Sequence, residues 1–119
     1  MTKFGRYPDQ DLIDLGATAA MAALTDGDVT IHDMDVMGAG NLFEASSGVG
    51  QRLQKQIGQT GIPVYNVANA CATGATAMRC VYMAIKAGEA EMGLAVGLEK
   101  MGKQGLLGAS ARSDRNVFG

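Results

Sequence analysis

The sequence has no tryptophan, one histidine, two cysteines and two prolines in 119 residues, and only six aromatics in all. Two isolated cysteines, Cys71 and Cys80, exclude a disulfide-stapled scaffold and lack the CxxC pairing of zinc or redox sites, so each has to be judged alone. A net charge of -2 and scattered Lys and Arg leave no basic face for a nucleic-acid backbone. No apolar run reaches the length of a membrane span, and "MTKFGRYPDQ" has no apolar centre of the kind a signal peptide carries. A cytoplasmic, reducing setting is therefore expected, with no nucleic acid and no membrane span.

What is present is enough for a packed core, with 47% hydrophobic residues in a chain the size of one domain. Glycine is abundant, at 17 residues, and falls at element ends rather than in low-complexity runs. "DQDLIDLGATAAMAAL" spaces Leu12, Leu15, Ala19, Ala22 and Ala23 for one helical face, which predicts a helix to about Leu24 capped by Asp9. "TDGD" is turn chemistry, and "VTIHDMDVMG" alternates as a strand does. After a flexible "GAGN", a second helix is expected from Ala45 to Ile57, closed by Gly58. "GIPVYNVANA" reads as a short buried strand, "CATGATAMRCVYMAIKAG" as a third helix closed by Gly88, and "AEMGLAVGLE" as a last strand whose glycines admit close backbone approach. The remaining "KMGKQGLLGASARSDRNVFG" reads as loop.

Helices alternating with strands define an α/β layer on a parallel sheet. The first helix has only "MTKFGRYP" before it and no strand to return to, so a strand before Met1 is expected, and the chain reads as one half of a larger domain.

Cys71 falls where a buried strand passes into a helix. A sulfur there faces the unpaired amides of the first helical turn, and the positive end of the helix dipole favours a thiolate. The residues that follow, Ala72, Thr73, Gly74 and Ala75, are small enough for a thioester to approach, and free amides suit the oxyanion of a tetrahedral intermediate. The same composition fits a buried cysteine in tight strand-to-helix packing. A nucleophilic cysteine is normally served by a histidine, and His32, on the expected first strand, is far off in sequence and reads as structural. Met78 and Met83 read as core filling, and Asn66 and Asn69 as either orienting groups near the thiol or polar groups satisfied by backbone. Arg79, Lys86, Lys100 and Lys103 read as solvated charges, with a phosphate contact open for the last two. Gly38, Gly40, Gly48 and Gly50 do not complete a dinucleotide fingerprint.

"GIPVYNVANACATGATA" around the cysteine, "AIKAGEAEMGLAVG" and "GLEKMGKQGLLG" together resemble the N-terminal half of a thiolase, and most of all the sterol-carrier or lipid-transfer-protein branch. "MTKFGRYP" is similar to the family's start after its first strand, and the resemblance runs through nearly all of residues 1–119. It implies an α/β/α/β/α fold in the full protein, of which this is an incomplete N-terminal half without the C-terminal thiolase domain. It also implies acyl transfer between a 3-oxoacyl thioester and coenzyme A, with coenzyme A as substrate, no tightly bound cofactor and no metal. Cys71 matches the acyl-accepting nucleophile, and its amide would contribute to an oxyanion hole. The activating histidine and a second, acid–base cysteine belong to the C-terminal half, and Cys80 matches neither, so the fragment alone is expected to be catalytically incomplete. A homodimer of the full-length protein, paired through Val64 to Val67, is implied too. In the same branch, retro-aldol cleavage of steroid side-chain thioesters with a small accessory subunit is an alternative, as is a non-catalytic acyl-CoA or lipid carrier.

Overall fold

A computed structural model describes residues 1–101. The first helix, α1, covers Leu12–Asp26. Its N-cap is Asp11 rather than Asp9: Asp11 Oδ1 accepts the Asp14 N–H at 2.8 Å and Asp14 Oδ2 accepts the Asp11 N–H at 3.2 Å. That reciprocal box satisfies two of the orphan amides of the first turn and places carboxylates at the positive end of the dipole.

"VTIHD" does not form the expected strand. Asp33 accepts the Thr30 N–H at 2.8 Å and so winds Ile31–Asp33 into a single 3-10 turn. Strand β1 begins only at Val36–Gly40, and it includes part of the "GAGN" that reads as flexible. A second departure lies at Ala45–Ser47, a separate 3-10 turn, because Gly48 adopts φ +70 and breaks the helix before α2, Val49–Ile57. Strand β2 is Val64–Val67, helix α3 is Thr73–Lys86 and strand β3 is Gly93–Gly97. The loop expected from Lys100 to Gly119 lies almost wholly outside the described residues.

The three strands form one parallel sheet in the order β2-β1-β3, with Gly38 opposite both Tyr65 and Ala95. The central strand is buried along its whole length, as a parallel strand covered on both faces must be. The two faces differ in kind. Met37, Leu94 and Val96 point to the face covered by α1 and α2, where Leu12, Leu24, Val49 and Leu53 complete the main core. The α3 face is built of Val36, Gly38, Gly40, Gly93, Ala95 and Gly97, so a helix can come close to it.

Helix α3 uses that closeness. Its inward stripe is Thr73, Ala77 and Val81, at i, i+4 and i+8. A Cβ added at Gly38 would lie 2.7 Å from the Ala77 carbonyl oxygen, and one at Gly40 would lie 2.8 Å from that of Thr73. At the far end a Cβ at Gly93 would lie 2.5 Å from Val81. Only small residues fit between α3 and the sheet, and this corrects the expectation for two methionines: Met78 and Met83 are exposed on the outer side of α3.

Candidate active site

The site lies beyond the carboxyl ends of the strands, where ligands of open α/β sheets bind. After Val67 the chain turns sharply. Ala70 has φ +46, a left-handed conformation that costs a non-glycine residue about 1–2 kcal/mol. Cys71 follows at the apex, a free and exposed thiol, and α3 starts two residues later. The expectation of a thiol at a strand-to-helix junction therefore agrees with the structure, and the alternative of a buried packing cysteine does not. The strand itself is not the buried one expected, because β2 lies at the edge of the sheet, where Tyr65 is exposed and its neighbours are only half-buried.

Short hydrogen bonds brace the turn. The Thr73 hydroxyl accepts the Asn69 N–H at 2.8 Å and donates to the Ala70 carbonyl at 2.7 Å. Asn69 Nδ2 donates to the Thr76 hydroxyl at 3.0 Å, which in turn donates to the Ala72 carbonyl at 2.9 Å. The Ala72 N–H closes back onto the Asn69 carbonyl at 2.9 Å. Asn69 is thus a brace of the turn. Asn66 faces the other way: its Oδ1 accepts the Gly50 N–H and its Nδ2 donates to Gln51 Oε1, each at 2.7 Å, which clips α2 to β2.

Cys71 opens on a cavity of about 340 Å³, within the range that holds small ligands. Its floor is the end of β1 and β3, with Gly40, Gly97 and Leu98, its near wall is Ala70, Cys71 and Gly74, and Leu42, Phe43 and Met101 overhang it. The N-terminus of α3 at this wall has Ala72 as its cap residue, no side-chain cap and no acid in the first turn. The contrast with the carboxylate-boxed α1 is chemical: the positive end of α3 is left for an anion from elsewhere.

The opposite wall depends on a pair that sequence reasoning missed. Asn41, 2% exposed, donates to the Leu98 carbonyl at 2.7 Å and to Glu99 Oε1 at 3.2 Å, while its Oδ1 accepts the Glu44 N–H at 2.6 Å. Glu99 Oε2 takes the Leu42 N–H at 2.9 Å. Both carboxylate oxygens are therefore committed to tying the loop after β1 to the loop after β3. The sequence signal was weak: one asparagine after a glycine run and one glutamate in a loop motif.

The other candidates are dispersed. His32 is exposed on the 3-10 turn before β1, at the opposite end of the strand from Cys71. A strand of five residues at about 3.3 Å each puts roughly 17 Å of sheet between them. Arg79 stacks on Tyr82 at 5.3 Å, and Lys86 occupies the last turn of α3. Lys100 is not a free cation: its ammonium donates to the Tyr7 carbonyl at 2.8 Å and to that of Gln10, tying the N-terminal segment to the loop after β3. Lys103 lies outside the described residues. Among the described residues no His/Cys/Asp/Glu cluster could hold a metal, and no helix is long and apolar enough to cross a membrane.

A parallel α/β layer thus carries an exposed thiol on a strand-to-helix turn, above a cavity at the strand ends. The family model described as "Thiolase, N-terminal domain" matches residues 1–117, and the chain belongs to that family. Sterol carrier protein 2 of Homo sapiens is 41% identical over 98% of the chain, which covers 22% of that protein. Non-specific lipid-transfer protein-like 2 of Caenorhabditis elegans is 34% identical over 96% of the chain, covering 28% of that protein. An acetyl-CoA acetyltransferase of Methanothermobacter thermautotrophicus is 35% identical over 84% of the chain, covering 27% of that protein. The chain thus spans between a fifth and a third of the length of these relatives.

Proposed function

We propose that the chain is the nucleophile-bearing part of a thiolase-type acyltransferase of lipid or sterol side-chain metabolism, with Cys71 as the acyl acceptor. The observation that supports it is the exposed Cys71 thiol, braced on its turn, at the mouth of the cavity and beside the uncapped start of α3. The Cys71 thiolate attacks the 3-keto carbon of a 3-oxoacyl-CoA, and the carbonyl electrons move onto oxygen. Amides at the start of α3, with that of Cys71, are suited to hold this oxyanion. Collapse of the intermediate breaks the C2–C3 bond and expels the enolate of acetyl-CoA, which takes a proton, and the acyl group stays on sulfur as a thioester. Coenzyme A thiolate then attacks that thioester and releases the shortened acyl-CoA with Cys71 as thiolate again.

Among the described residues no histidine reaches Cys71, and the resemblance implies that a histidine and a second cysteine of a C-terminal half would move these protons. The fragment alone is expected to be catalytically incomplete. The full-length protein is expected to act as a homodimer paired through β2. Incubation of the full-length protein with an acyl-CoA, followed by mass spectrometry of the Cys71 peptide, tests the assignment. An acyl adduct that disappears in Cys71→Ala is the expected result, and acyl label retained by that variant overturns it.

Relatives named for sterol carriage and lipid transfer favour a second reading. Retro-aldol cleavage of a steroid side-chain thioester would give turnover without an acyl-cysteine, and a lipid carrier would give acyl-CoA binding without turnover. The labelling experiment separates the acyltransferase from both, and turnover of a steroid side-chain thioester separates the retro-aldolase from the carrier.

A further inference from the structure

Resting on the reading of Cys71 as nucleophile, we infer that Thr73 is the positioning residue that aims it. The strain of the turn lies at Ala70. A left-handed conformation in alanine persists only where the surroundings impose it, and glycine or asparagine would adopt it more readily. The imposed geometry has one side chain at its centre. The Thr73 hydroxyl accepts from the residue before Ala70, through the Asn69 N–H, and donates to the carbonyl of Ala70 itself. One oxygen therefore ties the peptide unit before Asn69 to the peptide unit after Ala70, spanning the strained residue. Thr73 is in turn immobile: it is 9% exposed, and its backbone and methyl group sit against Gly40, where an added Cβ would lie 2.8 and 2.9 Å from its carbonyl oxygen and Cγ2. The rigid central strand thus sets the position of Thr73, Thr73 sets Ala70, and Ala70 sets the direction in which Cys71 leaves the turn. Asn69 Nδ2, bonded to Thr76, is an outer brace of the same turn.

Thr73→Val keeps the shape that packs on Gly40 and deletes both hydroxyl bonds, whereas Thr73→Ser keeps the bonds. Two measurements on the full-length protein decide the matter. The first is NMR of Ala70, whose backbone coupling and carbon shifts report the sign of φ. The expected result is positive φ in wild type and Thr73→Ser, negative φ in Thr73→Val, and positive φ regained in the double variant Thr73→Val with Ala70→Gly. The second compares two reactions of Cys71: acylation by acetyl-CoA, which needs the sulfur aimed into the cavity, and alkylation by iodoacetamide, which reaches an exposed thiol from any side.

Thr73→Val should lower acylation at least about tenfold, since a misplacement near 1 Å can cost up to about a hundredfold. Alkylation should change less than about twofold, and Thr73→Ser should restore acylation. A purely structural role would lower the melting temperature and leave both φ at Ala70 and the ratio of the two rates unchanged. That outcome overturns the inference. If wild-type Cys71 takes no acyl group from acetyl-CoA, the acyl-acceptor assignment has failed, while the NMR measurement still decides whether Thr73 sets the turn.

Discussion

Gly40→Ala tests the contact on which the site is built. Gly40 lies in the buried central strand, and the new Cβ would sit 2.8 Å from the Thr73 carbonyl oxygen, 2.9 Å from Thr73 Cγ2 and 3.2 Å from the Thr73 carbonyl carbon. Two of those atoms are backbone, so no rotamer change relieves the clash and the first turn of α3 must move. Overpacking of this kind costs about 1–3 kcal/mol, a large share of the roughly 5–15 kcal/mol that holds a domain together. At about 4 °C per kcal/mol for a chain of this size, a loss near 2 kcal/mol lowers Tm by about 8 °C. The same shift carries Cys71 away from the cavity, so acylation of Cys71 falls by more than the loss of folded protein explains. Thermal unfolding followed by circular dichroism gives the first quantity and adduct mass spectrometry the second. Gly5→Ala is the control, since its Cβ meets nothing within 4 Å and its Tm should not move. A Gly40→Ala protein that melts within about 2 °C of wild type would refute the claim that close approach of α3 to β1 holds the site.

Three further outcomes follow from the same contacts. Asn41→Ala strands the Leu98 carbonyl and the Glu44 N–H and releases Glu99, so the urea midpoint should fall by the equivalent of about 2–3 kcal/mol. Gly74→Ala places a Cβ in open space on α3, and Tm should rise with a gain of about 0.5–1 kcal/mol; because Gly74 lines the cavity, acylation of Cys71 should slow. The Asp14 carboxyl is held below its ordinary value of 3.8, first by the Gln56 side-chain amide and then by the Asp11 N–H. Its folded value lies below its unfolded one, so the stabilisation is present above about pH 4 and is lost as pH falls through the folded value. Urea midpoints measured from pH 7 down to pH 2 should therefore decline less steeply in Asp14→Asn than in wild type.

The resemblance read from the motifs agrees with the family match, and the alternation of helix and strand agrees with the parallel layer. Where local reading failed, nearby side chains or tertiary packing decided. His32 has the spacing of a strand residue, but the Asp33 carboxylate caps Thr30 and winds a 3-10 turn. Met78 and Met83 have core chemistry, yet the glycine face of the sheet admits only the Thr73, Ala77 and Val81 stripe and turns them outward. The flexible-looking "GAGN" is buried because β1 is paired on both sides.

For the site, the sequence by itself determined that a cysteine stands between a β-branched run and a run of small helix-starting residues, because short-range chemistry of that kind is carried by neighbours in the chain. It also determined that glycine would let backbones pass close. Only the tertiary structure decided that Cys71 is exposed, that its turn is strained at Ala70, and that Asn41 and Glu99 close the far wall. Those features join residues as many as 58 positions apart, and they exist only once parallel pairing brings the carboxyl ends of all three strands to one edge of the sheet.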